Sequence, residues 1–494
     1  MNVVMVTAEA FPFAKTGGLG DVVPSLAEAL ARRGHDVTVI LPYWPASVRN
    51  RTPGIIRNDL STSFPHDPAN FSLREHQDHA SLRYLLIDQP GYFNRAGLYS
   101  EPGGEAYADN ARRFAFLGRA ALEVMRSRSR PIDILHLHDW HTGLIPLQAE
   151  SLPQSVPALR RTGIVFTIHN AAYQGRFGRQ DWSVTGLPEG EFTFEGIEYW
   201  GDWSALKAGI ISADMITTVS PTYAAELLTP EHGMGMEGVL AQRASRLVGI
   251  VNGIDSDDWN PATDPSLETN YDVESFLEGK AKNKRRCQEE FGLPTLPDVP
   301  LVGIVGRLAH QKGIDMLSEL AKHLLNREIQ LAILGQGEPA IQDLVTQCAR
   351  CYPDRVAARI GFDEPLARRI FAGSDWFFMP SRFEPCGLSQ LYAMRYGSIP
   401  IAHSVGGLAD TIADASPSAI ENQTATGFLF HDLTEQGVLG AFTRATEAYR
   451  HPRTWNGLIT TAMRTDWSWD RSVTPYERVY GQASLFAQAR SSVM

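Results

Sequence analysis

Lys15-Thr16-Gly17-Gly18-Leu19-Gly20-Asp21 follows the short apolar run Val3-Val4-Met5-Val6 and precedes a helical pattern from Val22 to Leu30. A glycine turn between a buried strand and a helix presents bare backbone N–H groups and the positive end of the helix to a ligand, and Lys15 adds a full positive charge. The chemistry suited to such a turn is anion binding. A second cluster, Pro380-Ser381-Arg382-Phe383-Glu384-Pro385-Cys386-Gly387-Leu388-Ser389-Gln390, follows the apolar run Trp376 to Met379. Pro385 suits the first position of a helix, which predicts that the N–H groups of Cys386, Gly387 and Leu388 are aimed at a negatively charged group. Glu384 stands just ahead of them, as an acceptor for a ligand's hydroxyls or as a helix cap. Arg307 and Lys312 lie in Gly306-Arg307-Leu308-Ala309-His310-Gln311-Lys312-Gly313, directly after the apolar run Leu301 to Val305. Two cations there can neutralise negative charge as it develops on a reacting group.

The first half adds His136-Leu137-His138-Asp139-Trp140-His141 and Thr167-Ile168-His169-Asn170, each at the end of an apolar run. Three histidines and an aspartate within six residues read either as a metal site or as structural groups that bond backbone near a ligand. Two familiar nucleotide sites are disfavoured. Val23 stands where the third glycine of a dinucleotide fingerprint belongs, and the next apolar run, Val37 to Leu41, ends in Pro42 with no acidic residue for a ribose. No Gly-x-x-x-x-Gly-Lys-Ser/Thr occurs, which excludes a P-loop.

These residues need a frame. At 494 residues the chain suits two large domains, and 43% hydrophobic with 20% charged residues is a globular composition. Apolar strands are predicted at Val37 to Leu41, Ile132 to Leu137, Gly163 to Ile168 and Met215 to Val219. In the second half they are predicted at Leu301 to Val305, Gln330 to Leu334, Val356 to Ile360, Trp376 to Met379 and Ile399 to Ala402. Strands buried on both faces and separated by amphipathic helices imply an α/β fold of two doubly wound parallel sheets. The turn-rich stretch Gly249-Ile250-Val251-Asn252-Gly253-Ile254-Asp255 sets the boundary near residue 250, giving domains over 1–249 and 250–474. The polar stretch from Asp59 to His79 carries no assignable pattern. Ligands gather beyond the carboxyl ends of such strands, and pockets favour domain interfaces, so the expected site is a cleft between the halves.

A formal charge of −11 disfavours broad nucleic-acid binding, which needs clustered cations. The sequence has no run of 18 uncharged apolar residues, and Met1 to Ala8 reads as a strand with Glu9 behind it; the expectations are no membrane partner and a cytoplasmic location. Cys348-x-x-Cys351 lacks a second pair at zinc-finger spacing and reads as packing on a helix; with Cys287 and Cys386, the count fits a reducing compartment.

Lys-Thr-Gly-Gly-Leu-Gly-Asp-Val, Arg-Leu-x-x-Gln-Lys-Gly and Glu-Pro-Cys-Gly-Leu together resemble the donor-site motifs of the glycogen and starch synthases, retaining glucosyltransferases that extend α-1,4-glucan. Further agreement runs in order through Ala171 to Gly175, Leu206 to Ile210, Thr218 to Tyr223, Val251 to Asp255 and Gly406 to Asp410. Three places depart from the family: Ser389 where Thr is frequent, Ala205 where an aromatic usually precedes Leu-Lys-Ala-Gly-Ile, and Gly235-Met236-Glu237-Gly238 for Gly-Leu-Asp-Gly.

The resemblance implies the GT-B architecture, two Rossmann-like domains facing a cleft, with a C-terminal helix at 475–494 packing back on the first through Tyr476, Val479, Tyr480, Leu485 and Phe486. It implies transfer of glucose from ADP-glucose to the non-reducing end of a glucan or glycogen chain, with no metal and no cofactor. By the same resemblance Glu384, Lys312, Arg307, Asp139 and His169 are catalytic: Glu384, Asp139 and His169 on the glucose, the two cations on the diphosphate. Lys15, Gly17, Gly18, Asp21, Asn252, Cys386, Gly387, Leu388 and Ser389 bind the donor. Phe362, after Val356 to Ile360, stands where the bacterial members stack an aromatic on adenine; core packing is its alternative role. Three other functions stand beside this one. A UDP-glucose-using synthase differs only in its donor. An α-glucan phosphorylase shares the architecture but requires pyridoxal phosphate. A silent glucan-binding homologue has no chemical need for the intact set Lys15, Asp139, His169, Arg307, Lys312 and Glu384.

Overall fold

The computed structural model describes residues 1–48, 53–62, 69–101, 104–151, 156–317 and 329–493. The chain divides into two compact units, the first formed by Met1–Val219, Ala224–Gly253 and Trp469–Met494, the second by Ser220–Tyr223 and Ile254–Ser468. The main division thus falls between Gly253 and Ile254, four residues beyond the expected one, and Asn252 belongs to the first unit.

Among the described residues the first unit carries a nine-stranded sheet. Its strands are β1 (Asn2–Val6), β2 (Asp36–Pro42), β3 (Gly54–Thr62), β4 (Ala69–His79), β5 (Leu82–Asp88), β6 (Ile134–His138), β7 (Gly163–Ile168), β11 (Met215–Thr218) and β12 (Leu247–Gly249). The intervening β8 (Arg176–Phe177), β9 (Glu198–Tyr199) and β10 (Asp202–Ser204) form a small separate sheet. The main order is β12-β11-β7-β6-β1-β2-β5-β4-β3. It is parallel from β12 to β5, and β4 and β3 then extend it antiparallel. β1 is buried along its whole length, as its run of Val and Met requires.

The second unit carries β13 (Leu301–Val305), β14 (Gln330–Gly335), β15 (Val356–Ile360), β16 (Trp376–Met379), β17 (Ile399–His403) and β18 (Phe428–Phe430), all parallel, in the order β15-β14-β13-β16-β17-β18. Both sheets reverse winding direction beside their first strand, between β1 and β6 in one and β13 and β16 in the other. A crevice opens at the carboxyl ends of the strands where winding reverses, because the two connecting segments depart to opposite faces.

The last helix, Trp469–Val493, starts before 475, keeps Pro475 inside it, and belongs to the first unit. Its inner face is Val473, Tyr476, Val479, Tyr480, Ala483 and Ala487; Phe486, partly exposed, lies under the Arg246 guanidinium at 4.2 Å from its ring centroid, and of the expected contact residues Leu485 alone is on the outer face. Glu477 forks onto Arg33 at 2.9 and 2.8 Å and reaches His35 at 3.0 Å, and Arg490 meets Asp214 at 2.6 Å. Among the described residues no helix is long and apolar enough to cross a membrane.

Candidate active site

The reversal point of the first sheet carries the Lys15 turn and Asp139. After β1 the chain runs to the helix Leu19–Arg32, with Gly18 as its N-cap. The turn is less open than the sequence implies. Glu9, buried, accepts from the Thr16 amide at 2.5 Å, the Thr16 hydroxyl at 2.7 Å and the Gly17 amide at 3.4 Å. The Gly20 and Asp21 amides donate to Gly17 and Gly18 carbonyls. The amides of Gly18 and Leu19 are left with no protein acceptor among the described residues. Lys15 pairs with Asp21 at 2.7 Å.

At the end of β6, Asp139 takes φ 57° and ψ 179°, a region that is nearly glycine's alone and costs about 1–3 kcal/mol for a side-chain-bearing residue. Its amide donates to the Thr167 carbonyl at 2.9 Å and its Oδ1 accepts from the His169 amide at 2.7 Å, which hold the residue in that geometry. Burial raises the Asp139 carboxyl to about 7 against the hydrogen bonds it accepts from the His169 and Asn170 amides, and burial lowers His136, His141 and His169 to about 3. The imidazoles near Asp139 are therefore neutral, and of these three His169 alone is partly exposed.

His136 and His138 bond side chains rather than the backbone groups expected for them. His136 Nδ1 lies 2.9 Å from the Tyr480 hydroxyl and its Nε2 2.6 Å from Thr167 Oγ1; His138 Nδ1 lies 3.0 Å from His169 Nε2. The backbone here is already paired through the parallel β6–β7 ladder, so the rings find hydroxyls and each other. Among the described residues no group of three His, Cys, Asp or Glu converges as a metal site.

The second unit places its charges at the reversal point between β13 and β16. Lys312 pairs with Glu384, which is buried and also accepts from Ser381 Oγ at 3.1 Å. Arg307 donates to Gln311 Oε1 at 2.9 Å. Arg382 forks onto Asp315 at 2.7 Å on both oxygens and donates to the His310 carbonyl at 2.7 Å, tying the two loops together; the guanidinium holds the Asp315 carboxyl below its ordinary value. Gly313 has φ 68°, and a Cβ there would stand 1.9 Å from the Pro380 carbonyl oxygen, so glycine is required for the Lys312 loop to lie against the Glu384 loop.

The helix expected from Pro385 begins instead at Ser389 and runs to Arg395. Gly387 takes φ 71° and turns the chain before the helix, and the Gln390 side chain donates to the Cys386 and Gly387 carbonyls at 2.9 and 3.1 Å. The amides of Gly387 and Leu388 still donate to no protein group among the described residues, but as part of a turn and not a helix. Cys386 is buried beneath them. Phe362, past β15, is 67% exposed, which overturns core packing as its role. Asn252 is buried, and its Oδ1 has no protein partner among the described residues. Sequence reasoning missed Glu9, although an acidic residue three positions past β1 is a visible signal. It also missed Tyr99, whose hydroxyl donates to Glu9 at 2.6 Å, and the Arg382–Asp315 fork.

Residues 2–242 match the family described as Starch synthase catalytic domain, and residues 288–448 match Glycosyl transferases group 1. The chain is similar to Glycogen synthase of Anaeromyxobacter dehalogenans, at 45% identity over 97% of this chain and 99% of the relative. Glycogen synthase 2 of Geobacter sulfurreducens is 42% identical over 98% and 99%, and Glycogen synthase of Rhodopirellula baltica 40% over the whole of both. This chain belongs to the glycogen and starch synthase family. The catalytic domain of Starch Synthase IV from Arabidopsis thaliana, solved bound to ADP and acarbose, superposes with a TM-score of 0.90 at 34% identity, covering 98% of this chain and 99% of that one. Sucrose-phosphate synthase from Thermosynechococcus elongatus, at 18% identity and a TM-score of 0.60, shares the fold. The fold is the GT-B type, and the chain is a glucan synthase by its full-length relatives.

Proposed function

We propose that this enzyme transfers glucose from ADP-glucose to the non-reducing end of an α-1,4-glucan, with retention of configuration. The observation that carries the reading is the Lys312–Glu384 pair, with Arg307, set at the strand reversal of the second sheet. A carboxylate paired with one cation, with a second cation on the same loop as the first, fits a substrate that is positive at the anomeric carbon and negative at the leaving phosphate in the transition state. On this reading Arg307, Lys312 and the Gly387 and Leu388 amides hold the diphosphate, and Glu384 supports the sugar. Cys386 and Ser389 bracket those amides. In the first unit Asp139 and His169 contact the transferred glucose, while Lys15, Gly17, Gly18, Asp21 and Asn252 hold the donor. Attack comes from the face the diphosphate leaves, through an oxocarbenium-like centre, and no residue is assigned as nucleophile. The Arabidopsis relative bound to ADP supports an adenine nucleotide as donor.

The test is incorporation of labelled glucose into glycogen from ADP-glucose and, separately, from UDP-glucose at equal subsaturating concentrations. Faster incorporation from ADP-glucose is expected. Faster use of UDP-glucose overturns the donor and leaves the transferase; no incorporation from either overturns the reaction.

A further inference from the structure

His169 is half-buried beside Asp139, and its Nε2 is 3.0 Å from His138 Nδ1. One of those two nitrogens carries the shared proton. His138 is fully buried, and its other nitrogen, Nε2, has no hydrogen-bond partner among the described residues; the His136 ring lies against it with centroids 4.1 Å apart. If His138 accepted at Nδ1, its own proton would sit on Nε2 as a buried, unpaired N–H. Orphaned buried N–H groups are rarer in folded proteins than under-satisfied acceptors. If His138 donates from Nδ1, the unpaired Nε2 is a bare nitrogen.

We infer that His138 is a positioning residue that fixes the tautomer of His169, donating from Nδ1 to His169 Nε2 so that His169 carries its proton on Nδ1. The ring nitrogen left to face a ligand is then an N–H donor, since no protein group among the described residues accepts from His169 Nδ1. A neutral donor suits a hydroxyl oxygen of an uncharged sugar and suits a cationic partner badly. Burial holds both rings neutral, so each has one proton to place. The catalytic consequence rests on the reading that His169 contacts the transferred glucose; the tautomer itself does not.

The test is long-range nitrogen–proton NMR on the full chain labelled at histidine nitrogen, with the His169 signals identified by their loss in His169→Gln. A protonated Nδ1 and bare Nε2 on His169 is expected, moving towards the opposite tautomer in His138→Leu. In His138→Asn the side-chain amide restores a donor near Nδ1, and the wild-type pattern should return. Turnover should fall about 10- to 100-fold in His138→Leu, the range for removing an outer partner of a functional imidazole, with most of it recovered in His138→Asn. A proton on His169 Nε2 in the wild type overturns the inference, whatever the variants do. Wild-type turnover in His169→Ala would instead overturn the glucose contact and leave the tautomer standing.

Discussion

The two units set their candidate residues at the same place in the topology and in opposite electrostatic states. Beside β1 and β6, apart from the Lys15–Asp21 pair on the glycine turn, the groups are uncharged: neutral His136, His138 and His169 around an aspartate whose ionisation burial resists. Beside β13 and β16 they are charged and paired, Lys312 with Glu384 and Arg382 with Asp315. A neutral wall with directed hydrogen bonds suits a sugar, and a charged one suits a diphosphate whose charge grows during reaction. On the proposed reading, one fold supplies two kinds of recognition by what stands at its strand ends.

The strongest way to break the contrast is to remove the cations. Arg307→Ala and Lys312→Ala should each lower kcat about 10²- to 10³-fold, with a much smaller change in donor affinity, because the charge they meet is largest in the transition state. Lys312→Ala also strips a buried carboxylate of its cation, so its melting temperature belongs beside its kinetics. Wild-type turnover in the folded variants would end the assignment.

Glu384→Gln separates the sugar role from the phosphate role. Activity should collapse, while affinity for free ADP, read by calorimetry, stays the same or tightens, since Lys312 is released from its carboxylate. A fall in ADP affinity as steep as the fall in activity would place Glu384 on the diphosphate.

How much of this was legible differs between the sheets for physical reasons. Gly163–Ile168, Leu301–Val305 and Trp376–Met379 match the expected strands to the residue, because a strand covered on both faces needs an unbroken apolar run; Val356–Ile360 matches as well, although it is an edge strand exposed at Arg359 and Ile360. β3 and β4 escaped: they are antiparallel and polar, with Ile55 and Ile56 half exposed, and their pairing is interrupted by register shifts. The positions of Arg307, Lys312 and Glu384 followed from motif and strand end together. The Tyr480–His136 contact could not follow, since 344 residues separate the partners and no local pattern encodes it. The start of the Ser389 helix was misread because Pro385 is compatible with a first turn, whereas Gly387 with positive φ decides the matter.

The neutral wall predicts a pH signature confined to the first unit. His136, His141 and His169 have folded values near 3, below the ordinary 6.5, so their contribution to stability is full above about 6.5 and is lost as pH falls towards 3. Asp139 has the opposite sign: its folded value, about 7, exceeds the ordinary 3.8, so its contribution is present below 3.8 and lost as pH rises through 7. Asp139→Asn should therefore raise the unfolding temperature of the first unit relative to wild type by an amount that grows between pH 4 and 7 and then levels off. Each kcal/mol corresponds to about 2–4 °C. Scanning calorimetry with hydrogen exchange on β6 and β7 reads this; a difference independent of pH would mean Asp139 is ionised throughout.

The smallest expected effect lies farthest from the bond that breaks. Phe362 is exposed past β15, so Phe362→Ala should leave the melting temperature unchanged. If its ring stacks on the donor's base, the loss is about 1–3 kcal/mol of binding, and the solvent around the ring argues for the lower end, roughly a fivefold rise in KM for ADP-glucose. Turnover should change less, because the base makes the same contact in ground and transition states. Stacking accepts any base face, so Phe362→Ala should raise KM for UDP-glucose by a similar factor and leave the ratio of the two donors nearly as it was. A large change in that ratio would assign base selection to Phe362 itself; a KM unmoved for either donor would take the ring out of the donor site.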